Sequence, residues 1–352
     1  MKAVRMYAPG DLRVEEAPRP VPGPGEYLVQ VMAVGVCGSD IPRVNRYGAH
    51  VSPIIVGHEF SGLVVEAGPG AQGFEPGDHV TCPPLIPCGQ CPPCRAGQYS
   101  LCEQYDYYGS RRDGAFAQYI AVKAENLLKV APQVSFEDAA TLDPCANAMH
   151  GLRRAQFAPG DSLCVYGAGP IGQLALRCAA QMGASQLMAV DVWDEKLALA
   201  QSGGAQVLVN SRRQDPVQAI MEATGGQGAQ VVIDFSGVPD CQQAAILSAA
   251  RMGRVVYLGI SHQGLNLSEK AVDALMRRQI TLAGSWNSFT APFPGPDWTQ
   301  SLDLFQQGKI TSKDLISHRL SLDEAPAIFR RIAQGGFYFN KIMFFPNGLA
   351  GS

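Results

Sequence analysis

The sequence predicts an α/β chain in which a doubly wound parallel sheet is inserted into a mainly β domain. Three observations carry this. The first 150 residues are dense in Gly and Pro and hold short β-branched runs, the texture of antiparallel strands joined by turns. From Asp161 the pattern becomes strand, glycine turn and helix, repeated, which gives a parallel sheet covered by helices on both faces. The last apolar run, Lys341 to Phe345, belongs to a segment too short to fold alone, and its simplest home is the amino-terminal β domain. A chain of 352 residues fits two cores, and 46% hydrophobic residues can fill them. The expected boundaries are 1–150 for the β domain, 151–286 for the inserted domain and 287–352 for the return.

In the β domain the clearest strands are Tyr27 to Val34 and Gly62 to Glu66. A helix begins at Phe136, with Ser135 as N-cap, and continues past Pro144 toward Leu152. In the inserted domain strands are expected at Leu163–Tyr166, Gln186–Val190, Val207–Val209, Val231–Ile233, Val255–Leu258 and Ile280–Leu282, with helices at Ile171–Met182 and Glu195–Ser202. After Trp286 a Pro-rich segment precedes two helices and the final strand, and Asn347 to Ser352 reads as an unstructured tail.

Composition excludes several classes. A net charge of -3 leaves no basic footprint for nucleic acid. No run of about 18 apolar residues offers a membrane span, and the first residues lack the apolar core of a signal peptide. A cytoplasmic protein acting on a small molecule is expected. In that reducing compartment the ten cysteines are metal ligands or buried small hydrophobes rather than disulfide partners.

Four of them stand at Cys88, Cys91, Cys94 and Cys102. Two-residue gaps turn successive thiolates toward one point, and a fourth eight positions on closes a tetrahedron around zinc. A disulfide knot or four unrelated thiols fit this spacing poorly. A closed four-sulfur site has no open position for substrate, so this lobe, residues 82–110, is structural and any chemistry lies elsewhere.

Gly167-Ala168-Gly169-Pro170-Ile171-Gly172 follows one expected strand and opens the next helix. The first glycine permits the tight turn, the second lets backbone approach a pyrophosphate, and the third packs helix on strand. Pro170 and Ile171 start the helix whose free N–H groups face the phosphates. Asp191, 19 residues beyond Gly172, ends the next strand where a carboxylate accepts hydrogen bonds from an adenosine ribose. Its charge opposes a 2′-phosphate and no arginine follows in Val192-Trp193-Asp194, which favours NAD over NADP. Lys196, on the following helix, completes the expected cofactor-binding set. The alternatives are a ligand-free βα turn for the glycines and a helix N-cap for Asp191.

Upstream, Cys37-Gly38-Ser39-Asp40 and Gly57-His58-Glu59 place a soft ligand and an imidazole 21 residues apart in glycine-flanked turns. Alone, each equally describes an inert buried thiol or a satisfied polar group. Taken in order with Gly35-Val36 before Cys37, the four-cysteine lobe, Asp143-Pro144 and the nucleotide fold, they resemble the zinc-dependent medium-chain alcohol and polyol dehydrogenases across essentially the whole chain. Cys37 to Arg43, Tyr47-Gly48-Ala49-His50, Gly109 to Gly114 and Gly284-Ser285-Trp286 look most like the galactitol-1-phosphate 5-dehydrogenase branch, with sorbitol and threonine dehydrogenases next.

The resemblance implies a GroES-like catalytic domain carrying a Rossmann-type NAD-binding domain. It implies two zinc ions per chain, one structural and one catalytic, and a homo-oligomer, dimer or tetramer. The catalytic zinc would be held by Cys37, His58 and Asp143, with Glu59 beside it exchanging with water or substrate. The family has Glu-Pro where this chain has Asp143-Pro144, a side chain one methylene shorter, which leaves a helix N-terminal charge as the alternative role. Zinc would polarise a secondary alcohol while its hydride passes to NAD. Ser39 would share its hydroxyl with the reacting oxygen, or else cap the next turn; His50 would extend the relay or contact substrate, or else be a solvated loop histidine. A polyol phosphate needs cationic donors, and Arg43, ahead of Arg111 and Arg112, is the first choice for phosphate, each being equally placed for a surface ion pair. Tyr47 and Trp286 would wall the site or pack in a core. An unphosphorylated sorbitol- or xylitol-type substrate is the alternative reading. A zinc-free reductase of the same fold would lack Cys37, His58 and the lobe, and a non-catalytic NAD-binding protein rests only on Asp143.

Overall fold

The computed structural model describes residues 1–348; of the expected tail, only Asn347 and Gly348 fall among them. Contacts divide the chain into Met1–Asp143 with the segment from Phe289 onward, and Pro144–Ser288. The first boundary falls inside helix Leu142–Arg154 rather than at residue 150. The expected single helix from Phe136 is two, Phe136–Ala140 and Leu142–Arg154, separated at Thr141. Ser135 caps the first by accepting from the Asp138 N–H. No helix among the described residues is long and apolar enough to cross a membrane.

The β unit is built on a seven-stranded sheet. Its spatial order is Leu128–Lys129, His79–Thr81, Glu59–Ala67, Glu26–Gly35, Lys341–Phe344 and Ile316–Leu320, with Tyr119–Lys123 also paired to Glu26–Gly35. The final strand therefore lies beside Glu26–Gly35, antiparallel to it. Strand Ile316–Leu320, which carries no strong sequence signal, pairs with it in parallel. A three-stranded sheet of Asp11–Glu16, Lys2–Ala8 and Ile54–Ile55 completes the unit. Alternation along these strands buries Val29, Val31, Phe60 and Val64 in one core with Phe116, Phe329 and Phe344. Phe116 meets Phe344 edge-on at 5.0 Å. The start of the expected tail is anchored here, because Asn347 donates to the carbonyls of Val31 and Gln118.

The nucleotide unit holds a six-stranded parallel sheet in the order Val207–Asn210, Gln186–Asp191, Ser162–Tyr166, Ala229–Asp234, Ala249–Tyr257, Thr281–Gly284. The order reverses direction at Ser162–Tyr166, the switch point where such sheets bind ligands outside the strands' carboxyl ends. Helix Pro170–Gln181 starts there. The inner strands of this sheet are mostly apolar and buried, with Cys164, Tyr166, Met188, Val190 and Val232 in the core.

Candidate active site and metal centres

Strand register builds the first centre. Gly35 pairs with Glu59 on one side and with Met343 on the other. Cys37, two residues past Gly35, and Lys341, two before Met343, are thereby brought to the strand end that carries His58 and Glu59. Gly57 holds φ +91°, and a Cβ there would lie 2.2 Å from the Phe116 ring, so the turn that delivers His58 requires glycine. Ligand atoms of Cys37, His58 and Glu59 all lie within 4.8 Å of one another. His58 and Glu59 are buried and Cys37 is half-buried. One thiol, one imidazole and one carboxylate around a common point is a donor set that suits zinc.

Asp143 does not complete that mutual set, though its carboxyl is buried close by at the start of its helix. Burial, reinforced by Glu59 and Asp40, pushes it up to about 7, while His58 and Lys341 pull the other way. A divalent cation among these groups would favour its ionised form.

Two residues that sequence reasoning missed organise the centre. Asp40 is fully buried; it accepts from the Cys37 N–H at 3.0 Å and from Arg43 at 2.8 Å, and its carboxylate stands 3.6 Å from His58 Nδ1. Burial opposes its ionisation, yet His58, Arg43 and the Cys37 N–H outweigh burial and hold it below the ordinary carboxylate range. The converse acts on His58: burial lowers the imidazole, but Asp40 and Cys37 raise it well above its ordinary value. A carboxylate behind a ligating imidazole fixes the ring and its tautomer. The second missed residue, Lys341, is buried; it ion-pairs with Glu59 and donates to the Val36 carbonyl at 3.0 Å. Asp40 had a local signal, three residues after Cys37. Lys341 had none, standing 282 residues from Glu59.

The other expected residues divide. Ser39 does not cap its helical turn; its hydroxyl donates to Cys37 Sγ at 3.3 Å. Arg43, the first choice for phosphate, has its Nη1 turned to Asp40. Arg112 pairs with Asp106 at 2.7 Å. Arg111 lies over the Tyr105 ring at 4.6 Å, and His50 is exposed beside it, its N–H donating to the Ser110 carbonyl. Tyr47 and Trp286 are 61% and 48% exposed, which removes core packing as their role. Tyr107, unmarked by sequence, sets its ring edge-on to His58 at 5.5 Å.

In the second centre the sulfurs of Cys88, Cys91, Cys94 and Cys102 also lie within 4.8 Å of one another. Cys88 and Cys94 are 4.0 Å apart and Cys91 and Cys102 are 3.9 Å apart. Zn–S bonds of about 2.3 Å define a tetrahedron with edges of about 3.8 Å, so the thiols already stand at zinc-binding separations. All four are free of disulfides. Backbone N–H groups of Gln90 and Cys91 aimed at Cys88 bring its thiol down to about 6, favouring the thiolate that a metal requires.

In the nucleotide unit Gly167 adopts φ +91°, and a Cβ there would sit 3.0 Å from the Ser236 nitrogen. Gly172 packs on Gly167, where a Cβ would meet its carbonyl oxygen at 2.2 Å. Gly169 faces open space, the side on which a pyrophosphate would approach the N–H groups of the helix begun by Pro170 and Ile171. Asp191 accepts from the N–H groups of Ala168, Val192 and Trp193, bracing the loop without capping helix Asp194–Ser202. Lys196 is half-buried there, and its carbonyl accepts from Gln173 at 2.8 Å. Tertiary structure also brings an arginine that the local sequence lacks: Arg212 covers the Trp193 ring at 5.3 Å.

A switch-point glycine loop, a thiol–imidazole–carboxylate cluster and a four-cysteine lobe define an alcohol-type dehydrogenase built on a GroES-like domain. Residues 23–132 match the alcohol dehydrogenase GroES-like domain and residues 170–307 match the zinc-binding dehydrogenase family. The chain belongs to the zinc-dependent medium-chain dehydrogenases and is an alcohol or polyol dehydrogenase. It is 37% identical to galactitol 1-phosphate 5-dehydrogenase of Escherichia coli over 95% of this chain and 97% of that protein. Sorbitol dehydrogenase of Bacillus subtilis is 29% identical over 99% and 98%. The crystal structure of galactitol-1-phosphate dehydrogenase from Escherichia coli superposes with TM-score 0.93 at 36% identity, covering 98% of this chain and all of that one. A zinc-binding dehydrogenase from Sinorhizobium meliloti, solved bound to NADP, superposes with TM-score 0.91 at 32% identity, covering 98% and 99%.

Proposed function

We propose that the chain oxidises a secondary alcohol of a polyol phosphate of the galactitol 1-phosphate kind, using NAD and two zinc ions per chain, one catalytic and one structural. The observation that carries this reading is the likeness to galactitol 1-phosphate 5-dehydrogenase over nearly the full length of both chains. Cys37, His58 and Glu59 would hold the catalytic zinc, with Asp143 as a further donor, and Cys88, Cys91, Cys94 and Cys102 the structural one. Held there, zinc would supply Lewis acidity to the substrate hydroxyl and NAD would supply the hydride acceptor. Asp40 holds the Cys37 backbone by a hydrogen bond and sets its negative charge behind the His58 ring. Lys341 neutralises Glu59, so that this carboxylate can lie in the interior without a stranded charge. The Ser39 hydroxyl, hydrogen-bonded to Cys37 Sγ, would accept the proton of the substrate hydroxyl at Oγ and release its own toward solvent.

Gly167, Gly169, Pro170, Ile171 and Gly172 would take the pyrophosphate, and Asp191 and Lys196 the adenosine ribose. The Asp191 carboxylate disfavours a 2′-phosphate, which is the reason for NAD; Arg212 over Trp193 is the feature that would favour NADP. The ratio of kcat/KM for the two cofactors decides between them, and a preference for NADP overturns this part.

Likeness to sorbitol dehydrogenase supports a second reading, an unphosphorylated polyol substrate. A panel of hexitol phosphates, sorbitol and xylitol, followed by NADH absorbance, tests the choice: sorbitol or xylitol oxidised far more efficiently than any hexitol phosphate would reject the phosphate assignment. Metal analysis tests the enzyme against a non-catalytic NAD-binding protein. We expect two zinc ions, falling to one in Cys37→Ala; one zinc unaffected by that substitution would reject the catalytic centre. We also infer a cytoplasmic homo-oligomer; the exposed edge strand Thr281–Gly284 of the nucleotide sheet supports the association.

A further inference from the structure

Three arginines precede or follow the metal cluster in sequence, and the structure separates them by what they already hold. Arg43 is paired with the buried Asp40 and Arg112 with Asp106. Arg111 alone of the three has no acidic partner among the described residues: its guanidinium lies over the Tyr105 ring at 4.6 Å, and its Nε is buried with no hydrogen-bond acceptor. An N–H of a charged group enclosed without an acceptor costs on the order of 1–3 kcal/mol or more. The guanidinium is thus left with an unmet hydrogen-bonding demand.

Ring contacts tie this cation to the metal cluster. Arg111 stacks on Tyr105, Tyr105 meets Tyr107 edge-on at 6.2 Å, and Tyr107 meets His58 edge-on at 5.5 Å. His50 joins from the other side of the same turn, because its N–H donates to the Ser110 carbonyl at 3.2 Å. The imidazole is exposed, and partial burial together with the charges of Arg111 and Arg43 holds it below its ordinary value. It feels two cations, of which Arg43 is already paired with Asp40 and Arg111 is not paired with an acidic group among the described residues.

We propose that Arg111 and His50 form an anion subsite beside the Cys37–His58–Glu59 cluster and bind the phosphate ester of the substrate, while Arg43 serves Asp40. This rests on the polyol-phosphate reading above and corrects the sequence-based choice of Arg43. Arg111 is the specificity residue, giving charge-assisted hydrogen bonds; His50 contributes an N–H and gains a proton as the anion binds.

Two measurements on the zinc-loaded full chain test the subsite. In steady-state kinetics Arg111→Gln should raise KM for galactitol 1-phosphate by about tenfold or more, the loss of one charge-assisted contact. Its kcat, its zinc content and its KM for unphosphorylated galactitol should stay near wild type, and Arg111→Lys should recover part of the effect. Equal losses on both substrates would overturn the proposal. Independently of turnover, titrating inorganic phosphate into the wild type should raise the pKa of His50 read by NMR, and Arg111→Gln should abolish that rise; a wild type that shows no rise overturns the subsite. If the enzyme turns over only unphosphorylated polyols, the substrate assignment fails and the phosphate titration alone decides the subsite.

Discussion

The ion pair between Lys341 and Glu59 shows how a single side chain governs the Cys37–His58–Glu59 cluster. Both are 2% exposed, so either charge left alone would be stranded in the interior. Lys341→Met should therefore destabilise the fold by about 3–5 kcal/mol, whereas Lys341→Met with Glu59→Gln should recover more than half of that, as read from urea unfolding. A double variant no more stable than the single one would show that the pair does not act through charge. Sequence marked Cys37, His58 and Glu59 through their glycine-flanked turns, and it marked Asp143 through the family pattern. It was silent on Lys341, because a buried lysine in an apolar strand looks like any strand-edge lysine until its partner is known. Arg43, Arg111 and Arg112 were equivalent in sequence for the same reason. Their ion-pair partners, not their residue type, distinguish them.

At the scale of elements, two short segments carry separable functions. The glycine loop is set by backbone approach, and the carbonyl of Gly167 leaves no room for a methyl at Gly172. Gly172→Ala should cost about 1–3 kcal/mol of stability and weaken NADH binding, measured by urea unfolding and fluorescence titration. Unchanged binding would place the cofactor elsewhere. The cysteine lobe packs Tyr99 and Tyr105 against its thiols with little other apolar core among the described residues, so under the two-zinc reading metal binding would supply its order. Cys94→Ser should remove one zinc, leave the other, and lower Tm by roughly 2–4 °C for each kcal/mol lost; elemental analysis and calorimetry check this. Both elements were legible because their constraints are local: fixed spacing of thiols and fixed φ at glycines. The helix break at Thr141 was not, since the sequence there reads as continuous helix. Thr141 turns its hydroxyl to the Asp138 carbonyl and to Ser312, a partner from a distant segment.

For the whole molecule, the inserted unit is contiguous and its strand order follows chain order on either side of the switch point, which is why alternating pattern alone predicted it. One end of its sheet stays open: strand Thr281–Gly284 is largely exposed, with Leu282 40% and nearby Met276 70% exposed. An unpaired apolar edge favours addition of another strand, and a second copy is the occupant we expect. Leu282→Lys should shift the mass in solution toward the monomer with NADH binding retained, as measured by light scattering; an unchanged mass would exclude this edge as the interface. The β unit is the opposite case, assembled from both ends of the chain. Composition, glycine placement and cysteine spacing by themselves determined the α/β class, the inserted nucleotide fold and the four-cysteine lobe, because periodicity and ligand spacing are properties of neighbouring residues; the family came from the resemblance of motifs taken in order along the chain. Only tertiary structure decided that Lys341 answers Glu59, that Asp40 claims Arg43, and that Arg111 finds no carboxylate among the described residues. Charge pairing in a folded protein depends on which segments lie side by side, and strand register between residues hundreds of positions apart sets that.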